Sequence, residues 1–402
     1  MKTLFRTSLA VLLATSALTL PSQAEELPPI AAALFGNMEK QINVKPTYDK
    51  LETDSNGNVT ITNMTVGFAS AAGGPEMKYT VKEVSFQNVE AASNGIIKVG
   101  KSEVTDLKMS MNMGPGQDVT IEIPSVSTED WYVPVLTDNL TPLQVMRSNM
   151  SIARKASSSE LSISSMGQTI TSKGVELSWD GDPVTGAGKS TLVVKDIVVP
   201  EAALAAADPT GQLKMLGYTG LTLNMAATAE LSLSGETFGM NGDFDFNAKD
   251  MGGIKLAFGA TELPVSALAE LQAAEREKRE PNMATLMQQS MNVTLGNMQF
   301  RFEDASITKK LLPIVAQMQG MDEAAMVANA GAMIQISLMQ LNNQAFTTQV
   351  VSAVNAFLKD PKSITISLKP AQPVKVQQLM SMNPNNPAAA IDLLGISVSA
   401  ND

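Results

Sequence analysis

The chain has 402 residues, 44% of them hydrophobic and 4% aromatic, with no cysteine, no histidine and a formal net charge of −11. Without His or Cys there is no Ser-His-Asp or Cys-His catalytic arrangement, no disulfide framework, and none of the usual zinc or transition-metal ligand sets. The acidic balance disfavours nucleic acid and anionic lipid surfaces as partners, while 25 methionines against 2 tryptophans make a soft, adaptable apolar inventory.

Residues 1–24 read as a secretory signal peptide. Lys2 and Arg6 form the charged start, Leu9 to Leu20 the apolar run, and Ser22-Gln-Ala24 the small residues before a cleavage site. Loss of this leader would take the net charge two units further negative and place the protein in the periplasm. No Cys follows the apolar run, which argues against a lipoprotein. No second run of about 18 apolar residues stands out, so the mature chain is expected to be soluble.

Pro28 to Val44 carries Ile30, Leu34, Met38 and Ile42 at helical spacing. Tyr48 to Phe68 reads as a hairpin turning at Asp54-Ser-Asn-Gly-Asn58. The alternating Asp and Asn there resemble a calcium loop, but the required Gly and closing Glu are missing, so a turn is expected. Strands follow over Met77–Phe86, Ile96–Met113 and Val119–Ile123, separated by turns at Ala69–Pro75 and Gly114–Gly116. Pro124 is expected to close the last of them, with Trp131 and Tyr132 at the edge of a loop and a short helix near Thr141–Asn149.

One phrase recurs through this part of the chain. Leu192-Val-Val194-Lys-Asp-Ile197-Val-Val199 matches Ile61-Thr-Asn-Met64-Thr-Val66, Val81-Lys-Glu-Val84-Ser-Phe86 and Val104-Thr-Asp-Leu107-Lys-Met109-Ser-Met111. Each alternates apolar residues along a strand, then takes one three-residue step that reverses the face, as a bulge or short offset would. Gly188-Lys-Ser190 resembles the end of a phosphate loop, but Pro183 stands where that motif needs Gly, and a strand follows instead of a helix, so it reads as a hairpin turn.

Pro200–Ala207 is expected to form a helical turn. A meander then runs from Leu221 to Phe258 through Ala229–Leu233, Phe244–Phe246 and Ile254–Phe258. After Pro264 the period becomes helical. Val265–Leu271 leads into the charged run Glu275–Glu280, a wet helical face; helices are expected at Met283–Met291, Lys309–Gln319, Glu323–Gln340, Phe346–Leu358 and Val374–Met382. Strands interrupt them at Val293–Ile307, Ser363–Leu368 and Leu393–Ser399. Glu323–Gln340 is apolar nearly all round, with Met326, Met333 and Ile334 prominent, so it is expected to be buried or to line an apolar groove.

The fold expected is mainly β (α+β): an elongated curved antiparallel sheet or barrel-like sandwich over residues 25–262, then an α+β region over 263–402 with apolar helices and closing strands. The leader, the repeated Val-Lys-Asp-Ile and Val-Thr-Asp-Leu phrases, the Phe244-to-Phe258 meander with Lys249-Asp-Met-Gly-Gly253, and the helical C-terminal third together resemble uncharacterised alphaproteobacterial periplasmic proteins, distantly similar to the AsmA-like and YdgA-like envelope proteins. No catalytic or binding motif carries over residue by residue. The larger AsmA-like proteins have an N-terminal membrane helix and are implicated in moving lipids between membranes; this chain is shorter and its leader looks cleavable.

These readings converge on a non-catalytic periplasmic binding protein without a cofactor, holding a lipid or acyl chain in an apolar groove built from Met109, Met111, Val194, Ile197, Val199, Met326, Met333 and Ile334. Two alternatives stand beside it: an adaptor that binds another envelope protein through a sheet edge, and a closed sandwich whose apolar faces pack only on each other. Composition leaves open a carboxylate pair for glycoside hydrolysis, but two Trp and four Tyr are few for a sugar cleft.

Overall fold

In the computed structural model, which describes residues 27–402 apart from 43, 70–75, 115–116, 138–140, 149, 151, 277–278 and 384–385, the chain divides into two compact units. One runs through Ala203 and takes in Leu268–Pro281; the other holds Leu204–Ala267 and Asn282–Asp402. The leader expected at 1–24 lies outside the described residues, as do most of the turn at 69–75 and Pro115-Gly116.

The first unit opens with α1 (Pro29–Ile42), then β1 (Lys50–Thr53), β2 (Val59–Ala69), β3 (Glu76–Val89), β4 (Ile96–Asn112) and β5 (Asp118–Pro134). After α2 (Pro142–Ser148) come β6 (Ile152–Ser158), β7 (Leu161–Ser165), β8 (Gln168–Ser172), β9 (Gly174–Gly181) and β10 (Gly188–Val199). All pairings are antiparallel, β1 through β5 in sequence order. β6 and β7 both pair with β5 in one continuous register, as β9 and β8 do with β10, so each pair is one strand with a break in it. Ile30, Leu34 and Met38, one face of α1, are buried against Ile61, Val84, Phe86, Val99, Val104 and Trp131 of the sheet.

The three-residue step changes which alternate residues point into the core, so that apolar residues on both sides of it stay on one face, and no residue is inserted. Val59 and Ile61 are buried on β2, then Met64 and Val66; Phe86 and Val84 on β3, then Val81 and Tyr79; Val104 on β4, then Leu107 and Met109. Throughout, the register is unbroken: Ile61 faces Val84 and Met64 faces Val81. On β2, β4 and β10 the switch is made by single residues in the left-handed region, Asn63 at φ 48°, Asp106 at φ 49° and Asp196 at φ 47°. Asn and Asp tolerate that conformation better than any other residue with a Cβ.

These switches lie in one line across the sheet. The flanking pairs set Asn63 opposite Lys82, Lys82 opposite Asp106, Asp106 opposite Pro124, and Lys173 opposite Asp196. Between them, the breaks at Ser159–Glu160 and Lys173 fall on the same line. Apart from Pro124 this crease is lined by polar residues: Asn63 Nδ2 donates to Asp49 Oδ2 at 2.7 Å, Lys82 meets Asp106 at 3.4 Å, and Lys173 meets Asp196 at 2.5 Å. A second, shorter crease runs through Asn88, Gly100 and Asp130, where φ is again positive at Asn88 and Asp130.

Two expectations are corrected here. Pro124 does not end its strand; it sits on the crease, where the ladder with Asp106 is already interrupted, so its missing N–H leaves no acceptor waiting. Trp131 and Tyr132 are not at a loop edge but inside β5. Trp131 is buried and stacks on Phe86 at 6.3 Å, and Tyr132 meets Trp179 edge-on at 6.2 Å. Beside them the buried Arg147 donates to the carbonyls of Tyr132, Met150 and Pro183, and burial pulls its pKa down to about 10.

After α3 (Glu201–Ala207) and α4 (Gln212–Met215), the second unit contains β11 (Leu221–Ser234), β12 (Thr237–Ala248), β13 (Gly252–Pro264), α5 (Val265–Arg276), α6 (Met283–Ser290), β14 (Thr294–Asp304), α7 (Ile307–Met318), α8 (Glu323–Leu338), α9 (Gln344–Lys359), β15 (Ser363–Leu368), β16 (Val374–Lys375), α10 (Val376–Met380), α11 (Pro387–Leu394) and β17 (Ile396–Ala400), with part of α5 counted in the first. Its sheet runs β11-β12-β13-β14-β15-β17, with β16 beside the start of β14, all antiparallel. The meander therefore belongs with the helix-rich third, and the division falls near 203 instead of at the change of period near 263. α11 was not anticipated. The chain is mainly β, 47% strand, with several helices in the C-terminal third.

The crease makes a specific demand on backbone conformation. Asp106→Val is expected to lower stability by about 1–2 kcal/mol, because a β-branched residue is forced to positive φ, whereas Asp106→Gly loses only an exposed ion pair. Urea unfolding of both variants checks this; equal losses would remove the left-handed backbone as the cause.

Candidate ligand-binding face

The register of the second sheet places apolar residues in rows. Ala227, Phe244, Leu256, Phe300, Ile366 and Val398 face one another in turn across six strands. Two residues along, Phe258 pairs with Met298 and Met298 with Leu368; in the other direction Ile254 pairs with Phe302 and Phe302 with Ile364. Alternation puts all of these on one side of the sheet. Strands about 4.8 Å apart make the row from Phe244 to Ile366 about 14 Å wide.

This face is only half covered. α9 closes one end, where Phe357 meets Phe302 edge-on at 6.0 Å and Val398 is buried. Further in, Leu256, Phe258, Met298, Phe300 and Ile366 are each 38–40% exposed. Phe258 lies flat across its neighbour strand because Gly242 has no side chain: a Cβ there would come within 2.5 Å of the ring. Scattered exposed apolar residues are ordinary, but five large ones on adjacent strands form a patch of the kind that marks a binding surface.

The opposite side of the same sheet is polar. Asp243, Asp245 and Lys255 flank a shallow cavity of 320 Å³ floored by Ala226 and Ala257. Lys255 bonds Glu303 at 3.0 Å, Arg301 bonds Glu303 at 2.9 Å and Asp402 at 2.8 Å. The donated bonds from Lys255 and Arg301 hold the Glu303 carboxyl below its ordinary value. Every charged group in this network has a partner, so it reads as a stabilised outer surface. Among the described residues no group of three or more acidic side chains is placed to hold a metal ion.

Residues 245–401 match a protein family described only as an uncharacterized protein. The matched stretch is less than half of the chain, yet it contains Leu256, Phe258, Met298, Phe300 and Ile366. No curated protein matches the chain.

The residues expected to line the groove are split between the units. Met109 and Val199 share one row of the first sheet, through Ile121, Ile163 and Ile170, with Ile197 and Val194 in the rows beside it. Met109 is buried with Val66 and Tyr79. Met111, Val194, Ile197 and Val199 are half-buried. Met326, Met333 and Ile334 are on α8 in the second unit, where Met333 is 65% exposed. Sequence reading missed the row through Phe244, Leu256, Phe300 and Ile366. Each strand's alternation was visible in it; the pairing that aligns the four was not.

The Glu303 network gives a pH dependence with a definite sign. Its pKa is lower folded than unfolded, so its contribution is present above the ordinary glutamate value near 4.5 and is lost as pH falls through the folded value. Glu303→Gln should therefore narrow the drop in Tm between pH 7 and pH 3. A drop as large as in the parent protein would place the acid sensitivity elsewhere.

Proposed function

We propose that the protein is a non-catalytic binding protein of the cell envelope that holds a lipid or acyl chain against the half-exposed apolar face of its second sheet. The observation that carries this reading is the aligned row of Leu256, Phe300 and Ile366 with Phe258 and Met298 beside it, each 38–40% exposed. The face is wide, continuous and without charge, which suits a hydrocarbon chain better than a polar metabolite. Covering about ten methylenes contributes roughly 8 kcal/mol before ordering costs, which sets the micromolar range as the upper bound on affinity from these contacts. The Met-rich composition supports an adaptable surface. The absence of His and Cys supports a role without covalent catalysis. The leader-like residues 1–24 support export to the periplasm.

Native mass spectrometry of the full chain recovered gently from the periplasm is the direct test. Co-purifying lipid is expected, and a Leu256→Asp/Phe300→Asp double variant should retain its circular dichroism spectrum but lose that mass. Lipid-free parent protein, or lipid retained by the variant, would sink the proposal. In-cell crosslinking to a dominant protein partner, with no lipid, would favour an adaptor instead.

A further inference from the structure

α8 departs from the sequence reading in two ways. The sequence leads one to expect a helix that is buried or lines an apolar groove, and of its residues only Val327 and Gly331 are buried. It was also not counted as a membrane-length run, yet Glu323–Leu341 is 19 residues long and apolar enough to cross a membrane by length and composition. Asn329, Gln335, Ser337 and Gln340 interrupt the apolar letters without adding any charge. One side of α8 is held against α9, where a Cβ on Gly331 would come within 2.8 Å of Asn355 Oδ1. The other side carries Met333 and Ile336, and the 3-10 turn that continues the helix (Met339–Leu341) adds Met339, the three exposed by 65%, 67% and 67%.

What distinguishes this patch is its charge. From Ala324 to Leu358 there is no Asp, Glu, Lys or Arg, in a chain whose net charge is −11. Charge is confined to the ends of the α8–α9 hairpin, at Glu323 where α8 starts and Lys359 where α9 stops. A protein partner is poorly matched: three side chains cover a few hundred Å², short of the roughly 800 Å² that each side of a stable interface contributes. A hydrocarbon surface has no such area threshold and needs no opposite charge. A helix of this length lying in the interface places its exposed side chains at one depth.

We propose that the exposed face of α8 (Met333, Ile336 and Met339) docks the protein on the surface of a lipid bilayer, lying in the interface plane through apolar contact alone. This rests on α8 by itself and holds whether or not the sheet face carries an acyl chain. Because the patch has no cation, attachment does not depend on anionic headgroups and is not screened by salt.

The test uses the full chain and a Met333→Gln/Ile336→Gln/Met339→Gln variant side by side, so anything contributed by the N-terminal apolar run is common to both. Sedimentation with phosphatidylcholine vesicles is expected to carry down the parent chain equally at low and high salt. The variant should partition at least tenfold less, since each of the three side chains loses on the order of a decade of partition, while keeping its thermal melt. Equal sedimentation of parent and variant, binding that needs anionic lipid, or a concentration-dependent dimer that the variant dissociates would each overturn the proposal; the last would assign the face to a second copy. The sheet face is unaltered in this variant, so retained lipid mass with lost vesicle binding separates this proposal from the function proposed above.

Discussion

The first unit depends on every strand changing sides at the same place. A strand with one buried face obeys a period of two, and a reversal midway would throw half its apolar residues into water if its neighbours did not follow. Here they follow, because Asn63, Asp106 and Asp196 each turn through a left-handed conformation on one line, and Lys82, Pro124 and Lys173 occupy the matching positions between. The apolar residues on both sides of the line then face the same way. Residues from Ile61 to Trp131 can so join one core beneath α1.

Much of this was legible in the chain. The repeated three-residue steps announced a change in alternation, the alternation itself announced a β-rich chain, and the lack of cysteine announced one stabilised without disulfides. The mechanism was not legible. A bulge and a left-handed residue leave the same three-residue step, and only the pairing of Ile61 with Val84 and of Met64 with Val81 tells them apart. Pro124 misled for a related reason. Proline is excluded from a central strand because of a missing donor, and nothing local shows that the ladder already skips that position. In the second unit Phe244, Leu256, Phe300 and Ile366 each showed their alternation, but their shared row spans more than a hundred residues of sequence. α8 misled in the opposite sense: apolarity all round usually means burial, and here it coexists with exposure.

The two apolar surfaces of the second unit differ in kind. The sheet face is concentrated, with rings and branched side chains stacked across strands and one end closed by Phe357. The α8 face is narrow, flexible and methionine-rich, and it borders a long stretch without charge. Rigid aromatic side chains favour a defined guest, whereas unbranched thioethers adapt to a fluid one. The polar side of the same sheet, with Glu303, Arg301, Lys255 and Asp402 paired with one another, keeps the opposite surface wet and leaves the sheet with one apolar side.

The crease also bears on how the sheet finds its alignment. In an ordinary amphipathic hairpin, a misalignment by two residues keeps oily side against oily side, so it is a shallow and persistent trap during folding. With inversion points built into each strand, the same two-residue error leaves a stretch between the mismatched points where one strand presents hydrocarbon and its neighbour presents charge. Lys82 would also lose Asp106, and Pro124 would meet a carbonyl with nothing to donate. The chain thus carries a frame check along its own length, useful for a protein whose long hairpins have no covalent cross-link to correct them.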